Sequence, residues 1–310
     1  MRTRRSIRGD GRLTGVAGAF ALLMGCAGTP GEVAAPQAGT PAVDPVAPIA
    51  TSEDPAVATS RIGEILERVR AEHEVPALGA AILTSGGVAL VDVSGVRHRR
   101  KGGTVTTKER WHLGSNGKAM TATLIAQLVE SSDVAWDSPI AELFGEGTVD
   151  EGWREVTVQM LLDHRGGLPA NLPEALVRRA QTEDVDSRVL RAEWVRETLA
   201  EPPIGEVGEY AYSNAGYTML GALLESRWDA TFWDLLTERL LTPLKMEGCG
   251  FGGPGSDNAR GHVFGVAQGA GADNPDVMAP AGTVHCPLAS WGEFVRMHLR
   301  AARGEPMMLK

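Results

Sequence analysis

Residues 115–129 read Ser-Asn-Gly-Lys-Ala-Met-Thr-Ala-Thr-Leu-Ile-Ala-Gln-Leu-Val, a polar start followed by a segment that is apolar on nearly every face. A helix of this kind is expected at the centre of a domain. Ser115 and Lys118 lie three positions apart and share one face at its start. The helix dipole opposes a lysine there, and burial lowers the pKa of the amine toward that of a usable base. The pattern favours a serine nucleophile with a lysine base; the alternative is a surface lysine whose stem passes the helix end.

A second polar triplet, Tyr212-Ser213-Asn214, precedes another segment that is apolar at helical spacing, residues 215–224. A phenol beside a lysine can relay protons, and an asparagine amide can hold a substrate carbonyl or amide by hydrogen bonds. The alternative is that Asn214 serves only as the N-cap of the second helix. Two polar motifs ahead of two apolar helices favour a catalytic role for Tyr212 and a substrate-binding role for Asn214.

Four segments resemble the class C β-lactamases and the related penicillin-binding serine hydrolases. Residues 111–118, Trp-His-Leu-Gly-Ser-Asn-Gly-Lys, look like the active-site segment of that family, and residues 212–214 match its second motif. Residues 161–169 resemble its helix-to-loop segment, and Pro-Ala-Gly at 280–282 resembles a later landmark. The segments follow the family order between about residues 60 and 305. A related order of motifs marks the class A enzymes and penicillin-binding proteins.

The resemblance implies acyl transfer without a cofactor. Ser115 would attack a substrate carbonyl to form an acyl-enzyme, while Lys118 and Tyr212 would share the proton transfers. Asn214 would orient the amide of the substrate, and the Ser115 backbone N–H would supply half of an oxyanion hole. Which of Lys118 and Tyr212 is the base stays open, because strongly coupled groups titrate as a pair. The implied partners are amides, β-lactams or esters, either small molecules or peptidoglycan-like acyl substrates.

The family also carries a third motif, Lys-Thr-Gly or His-x-Gly, on a strand that donates the other oxyanion N–H. No such motif follows Asn214, so we expect residues 59–310 to form a C-terminally incomplete serine hydrolase domain. The loss of one oxyanion donor costs roughly 3–4 kcal/mol of transition-state stabilisation. Two alternatives therefore stay open: a catalytically impaired cell-envelope binding protein without turnover, and a short-chain esterase.

The order of helical and strand patterns predicts an α+β fold. We expect the β-lactamase/transpeptidase-like architecture, an antiparallel sheet flanked by helices plus a helical subdomain, with its C-terminal strands missing. The patterns are a first helix over 62–69 behind a Thr59-Ser60 cap, a hairpin of 77–83 and 88–93, helices from 115 to about 226, an irregular stretch at 248–280, and a helix over 289–302.

The first 58 residues are typical of an export signal and a tether. Residues 1–26 have an Arg-rich start and an apolar run and end in Leu-Met-Gly-Cys, which resembles a bacterial lipoprotein signal. We expect lipidation of Cys26, the alternative being an ordinary cleaved signal. The Pro/Ala-rich residues 27–58 lack the apolar surface needed to fold and are interpreted as a disordered linker. These features predict an exported protein of the cell envelope, in the periplasm or on the outer surface, held to the membrane by a lipid.

Charge and residue spacing exclude some classes of binding partner. The net charge of −9 argues against a nucleic-acid partner. No His or Cys spacing suggests a metal site, and we expect a monomer.

Cys249 and Cys286 form a possible disulfide, although their spacing in the sequence does not show whether the two side chains meet. Ser256-Asp257-Asn258 and the G-x-G-x-x-G match at 250–255 are interpreted as chance, because no apolar helix follows either. His164 is expected to be a loop-stabilising hydrogen-bonding residue rather than a general base.

Overall fold

A computed structural model of the protein describes residues 55–131, 134–145, 148–305 and 308. The predicted signal segment, Cys26 and nearly all of the predicted linker lie outside these residues, so the predictions made on them stay predictions. Within the described ranges, no helix combines the length and the apolar character needed to cross a bilayer.

The N-terminal part is a helix packed on a hairpin. Helix α1 spans Pro55–Glu72, and strands β1, Ala77–Thr84, and β2, Gly87–His98, pair antiparallel as the alternation of turn and apolar residues predicts. Strand β3, Gly102–Thr104, adds to the β2 edge. The predicted helix cap at Thr59-Ser60 is wrong, because α1 begins at Pro55 and both residues lie inside it. Proline is well suited to a first helical turn, where its missing N–H costs nothing.

The helical middle is built around two apolar helices. Helix α2, Gly117–Ser131, packs against helix α7, Asn214–Trp228, and both bury most of their length. Because each helix carries its polar motif at its N-terminus, this packing brings the two motifs together. The remaining helices of the middle are α3, Ile140–Leu143, α4, Val158–Leu162, α5, Glu174–Thr182, α6, Ser187–Leu199, and α8, Phe232–Leu236.

A second antiparallel sheet has three short strands. Its order is β4, Arg110–His112, then β8, Val284–Pro287, then β5, Gly250–Phe251. Residues 280–282 end the short helix α9, Ala279–Gly282, and are followed first by strand β8 and only then by helix α10, Leu288–Ala301. The helix predicted over 289–302 is thus present with nearly those bounds. The segment over 248–280 also holds a two-stranded hairpin of β6, His262–Val263, and β7, Val266–Ala267.

The structure joins Cys249 and Cys286 by a disulfide, with their Cα atoms 4.1 Å apart. Cys286 lies in β8, between β4 and β5, and is fully buried. The bond closes a segment with a sequence separation of 37, for which chain-entropy arguments give about 3–4 kcal/mol of stabilisation. It ties the start of β5 to the strand that runs beside β4.

A buried ion pair fixes the turn that leads to Gly282. The Arg191 guanidinium on α6 donates to the Glu225 carboxylate on α7 at 2.8 Å, and both side chains are 2% exposed. Arg191 also donates to the carbonyl oxygens of Asp276 and Val277. A pair buried this deeply is a weak source of net stability, but removing one partner leaves a costly unpaired charge. The pair therefore holds helices α6 and α7 and the 276–278 turn in one arrangement.

Candidate active site

Ser115 lies in a 3₁₀ turn, Gly114–Asn116, directly before α2, and its side chain is exposed. Lys118 is the second residue of α2, and its Nζ lies 3.1 Å from Ser115 Oγ. The i, i+3 spacing thus brings the two side chains together as predicted, although the serine precedes the α-helix rather than belonging to it. Gly114 allows this turn because its φ of +52° lies in the left-handed region that glycine tolerates best.

Lys118 is 6% exposed and is surrounded by oxygen atoms. Its Nζ donates to Asn214 Oδ1 and to the Ala281 carbonyl oxygen, each at 2.7 Å, and its third oxygen neighbour is Ser115 Oγ. Among the described residues, no carboxylate forms an ion pair with it. Burial lowers the pKa of Lys118 below its ordinary value, and the neighbouring Tyr212 hydroxyl opposes this shift only in part. The surface-lysine alternative is therefore wrong for this structure, because the amine is buried.

Tyr212 completes a cluster of three around the serine. Its phenol Oη donates to Ser115 Oγ at 2.7 Å, and its ring centroid lies 5.0 Å from Lys118 Nζ. The tyrosine is 42% exposed, so the face of the cluster opposite Lys118 is open to solvent. Ser115 Oγ therefore contacts two proton-transfer groups at once, one buried and one open to an incoming ligand.

Ser213 and Asn214, at the start of α7, have different structural roles. The N-cap is Ser213, whose Oγ accepts from the Gly216 N–H at 2.9 Å and donates to the Pro169 carbonyl oxygen at 2.6 Å. The N-cap alternative for Asn214 is therefore wrong, because the preceding serine fills that position. The Asn214 side chain instead accepts from Lys118 through Oδ1 and donates through Nδ2 to a second side chain.

Asn171 is a site residue that sequence reasoning missed. Its Oδ1 accepts from Asn214 Nδ2 at 2.7 Å, and its own side chain is exposed. It lies just beyond residues 161–169, in a loop that no recognised motif marks. The only signal was its position: an amide two residues after the Leu-Pro that ends the helix-to-loop segment. The two amides together form a polar edge beside Lys118 that can donate to and accept from a substrate amide.

His164 packs against Tyr212 and hydrogen-bonds to the backbone beside it. Its Nδ1 accepts from the Ser213 N–H at 3.1 Å, and its carbonyl oxygen accepts from the Ala211 N–H at 2.8 Å. The ring lies against the Tyr212 ring with centroids 4.5 Å apart. Burial, followed by the charge of Lys118, lowers the pKa of His164. A neutral ring matches its role as an acceptor, the loop-stabilising role that the sequence predicts.

The turn of residues 279–282 touches the serine backbone. Gly282 has a φ of +145°, and a Cβ atom placed on it would lie 2.4 Å from the Gly114 carbonyl oxygen and 3.1 Å from the Ser115 nitrogen. Only glycine allows this approach without moving a backbone segment. The same turn supplies the Ala281 carbonyl that holds Lys118. The Pro-Ala-Gly segment thus fixes both the nucleophile backbone and the buried amine.

Residues 256–258 and 250–255, whose motif matches are interpreted as chance, have structural roles. Asn258 Oδ1 accepts from the Arg110 N–H at 2.8 Å, and its Nδ2 donates to the Pro254 carbonyl oxygen at 2.8 Å, so it stabilises the loop beside β4. Gly250 lies in β5, and the next element of the chain is strand β6 rather than a helix.

Comparison with known proteins gives one family and several relatives. A family model described as Beta-lactamase matches residues 62–305. The penicillin-binding protein 4 of Amycolatopsis lactamdurans is 31% identical over 183 residues, which are 58% of this chain and 46% of that protein. The chain thus spans about half the length of this relative.

Solved structures share the fold. An octameric penicillin-binding protein homologue from Pyrococcus abyssi superposes with a TM-score of 0.61 at 21% identity, covering 81% of this chain and 58% of that one. A structure of SurE with D-Leu superposes with a TM-score of 0.59 at 25% identity, covering 81% of this chain and 55% of that one. Both neighbours have the α+β architecture expected from the sequence.

Proposed function

This chain belongs to the Beta-lactamase family, whose model matches residues 62–305, and we propose that it is a serine hydrolase that forms an acyl-enzyme on Ser115. One observation carries the proposal: Ser115 Oγ lies within hydrogen-bond distance of both Lys118 Nζ and Tyr212 Oη. Neither the nucleophile nor its two proton-transfer partners needs to move for the first step. A weak nucleophile such as a serine hydroxyl requires an adjacent base of this kind.

The contacts of Lys118 support it as the base of acylation. A neutral amine has two N–H donors and one lone pair, and Lys118 Nζ has two oxygen neighbours that only accept here, the Ala281 carbonyl and Asn214 Oδ1. The lone pair is then left facing Ser115 Oγ. Burial without a carboxylate partner stabilises the neutral form. The arrangement therefore suits an amine that receives the serine proton.

Acylation then proceeds as a balanced transfer of one proton. The Ser115 oxygen bonds to the substrate carbonyl carbon as its proton passes to Lys118, and the Ser115 backbone N–H stabilises the developing oxyanion. When the bond from the carbonyl carbon to the leaving nitrogen or oxygen breaks, Tyr212 Oη gives that atom its proton. Tyr212 recovers a proton from Lys118, whose Nζ lies 5.0 Å from the Tyr212 ring centroid. The serine proton thus ends on the leaving group and leaves an ester at Ser115.

We expect the acylation rate to rise with pH through the lowered pKa of Lys118. Burial penalises the ammonium form, so the neutral base is present at a lower pH than for an ordinary lysine. The second-order rate constant for a fluorophosphonate probe, measured between about pH 5 and about pH 11.5, reports the free enzyme's essential base. We expect a midpoint below 10.5, the ordinary lysine value. A midpoint at or above it would contradict a buried amine base.

For substrate class, we propose an amide or ester in which a D-amino acid supplies the acyl group, with β-lactams as related acylating agents. Two likenesses support this: the relative from Amycolatopsis is a penicillin-binding protein, and SurE has been crystallised with D-Leu. The polar edge of Asn171 and Asn214 would orient the substrate amide. The predicted export would place the domain beside peptidoglycan-like substrates.

The substrate class is tested with matched enantiomers. We expect the full chain to cleave D-alanine p-nitroanilide at least about 10-fold faster than the L-enantiomer, a ratio that a few pocket contacts can supply. The measured quantity is kcat/KM for each enantiomer, with p-nitrophenyl butyrate as the control for a short-chain esterase. Equal rates for the two enantiomers together with faster ester cleavage would favour the esterase alternative.

A further inference from the structure

His112 links the nucleophile turn to a buried acid. It is the last residue of β4, two residues before the turn that holds Ser115. Its Nδ1 accepts from the Gly114 N–H at 3.1 Å, which leaves Nε2 as the protonated nitrogen, 2.6 Å from Asp273 Oδ1. The Asp273 side chain is 6% exposed. The imidazole is therefore held at both nitrogens, and one of the two bonds ends on the backbone of the residue before the serine.

The residue after the acid reaches the same backbone from the other side. Asn274 Nδ2 donates to the Gly282 carbonyl oxygen at 3.0 Å, and the Asn274 N–H donates to Asp273 Oδ1 at 2.7 Å. Gly282 is the residue that approaches the Ser115 nitrogen so closely that a Cβ would not fit. Residues 273 and 274 thus hold both backbone segments that border the Ser115 N–H, one through His112 and one directly.

We propose that Asp273 and His112 are positioning residues for Ser115: they hold the Gly114 N–H, one peptide unit before the Ser115 N–H, and so fix the turn in which the Ser115 N–H points at the developing oxyanion. The inference rests on the proposed function, since it assigns these residues to the same acylation step. A histidine–carboxylate pair that served only to stabilise the fold could hydrogen-bond to any backbone carbonyl. Here the bond goes to the N–H of Gly114, whose left-handed φ sets the direction of the serine.

The expected effect is on the chemical step and not on probe binding. A misplacement of about 1 Å in a reacting group can lower a rate by about 100-fold. We expect His112→Leu and Asp273→Ala to lower the maximal acylation rate by about 10-fold to 100-fold, while the half-saturating probe concentration stays within about 3-fold. Asp273→Asn keeps an acceptor oxygen for His112 and should recover most of the rate.

The experiment measures the acylation rate of the full chain by stopped flow, with a fluorophosphonate or penicillin probe. The concentration of active protein is determined by labelling each sample with the probe to completion. His262→Leu is the matched control. Its ring also joins two backbone groups, accepting from the Arg99 N–H at 3.1 Å and contacting the Arg260 carbonyl oxygen at 2.9 Å, within another part of the fold. We expect this variant to acylate at the wild-type rate. If His262→Leu slows acylation as much as His112→Leu does, or if Asp273→Asn gives no recovery, the positioning role is overturned.

A second readout does not depend on activity. In ¹H–¹⁵N correlation spectra, Asp273→Ala should shift the Ser115 backbone amide resonance, because the acid is linked through His112 to the Gly114 N–H, one peptide unit away. His262→Leu should leave this resonance in place. An unchanged Ser115 resonance in folded Asp273→Ala overturns the positioning role by itself. If wild-type protein takes up no probe, the proposed function fails, and the spectra still decide whether the acid controls the serine backbone.

Discussion

Replacing Lys118 with methionine is expected to lower the rate of Ser115 acylation by about 1,000-fold, the middle of the range for removing a general base. Methionine has a similar length and suits a buried position, but it has no lone pair basic enough to accept the serine proton. The loss corresponds to about 4 kcal/mol of transition-state stabilisation. The measurement is the rate of probe acylation at saturating probe, with a thermal unfolding curve to show that the variant is folded.

Lys118→Arg is the matched control for charge. Arginine keeps the positive charge and the donors toward the Ala281 carbonyl and Asn214 Oδ1, but it stays protonated in proteins. We expect this variant to be as slow as the methionine variant, within about 3-fold. If Lys118→Arg instead acylates at close to the wild-type rate, the lysine acts through its charge and is not the base.

The centre of the site could be predicted because its geometry is local or follows from helix burial. Ser115 and Lys118 are adjacent on one turn, so their contact requires only that the turn forms. Tyr212 and Asn214 are distant in sequence from Ser115, but the helix that begins at Asn214 is apolar over most of residues 215–224 and packs beside α2. The early hairpin likewise followed from a turn signal between two apolar runs. Pattern and burial together thus predict which elements meet.

The parts that sequence reasoning missed depend on long-range contacts of unremarkable residues. Asn171 meets Asn214 across 43 positions, and Asp273 meets His112 across 161. Neither position carries a periodic or motif signal, since each lies in an irregular loop. Strand β8 was missed for a related reason: a strand of four residues between two helices is too short to show alternation. Such contacts depend on the paths of the loops through the fold, and those paths are seen only in the folded chain.

The most direct measurement of the central claim is intact-mass analysis of the full chain after exposure to a penicillin or fluorophosphonate probe, followed by peptide mapping. Ser115→Ala is the control, since it removes the oxygen that Lys118 and Tyr212 both contact. We predict a single adduct on the peptide that contains Ser115, and complete loss of this adduct in Ser115→Ala. An adduct-free wild-type protein that is shown to be folded would contradict the acyl-enzyme account and favour a binding protein without turnover.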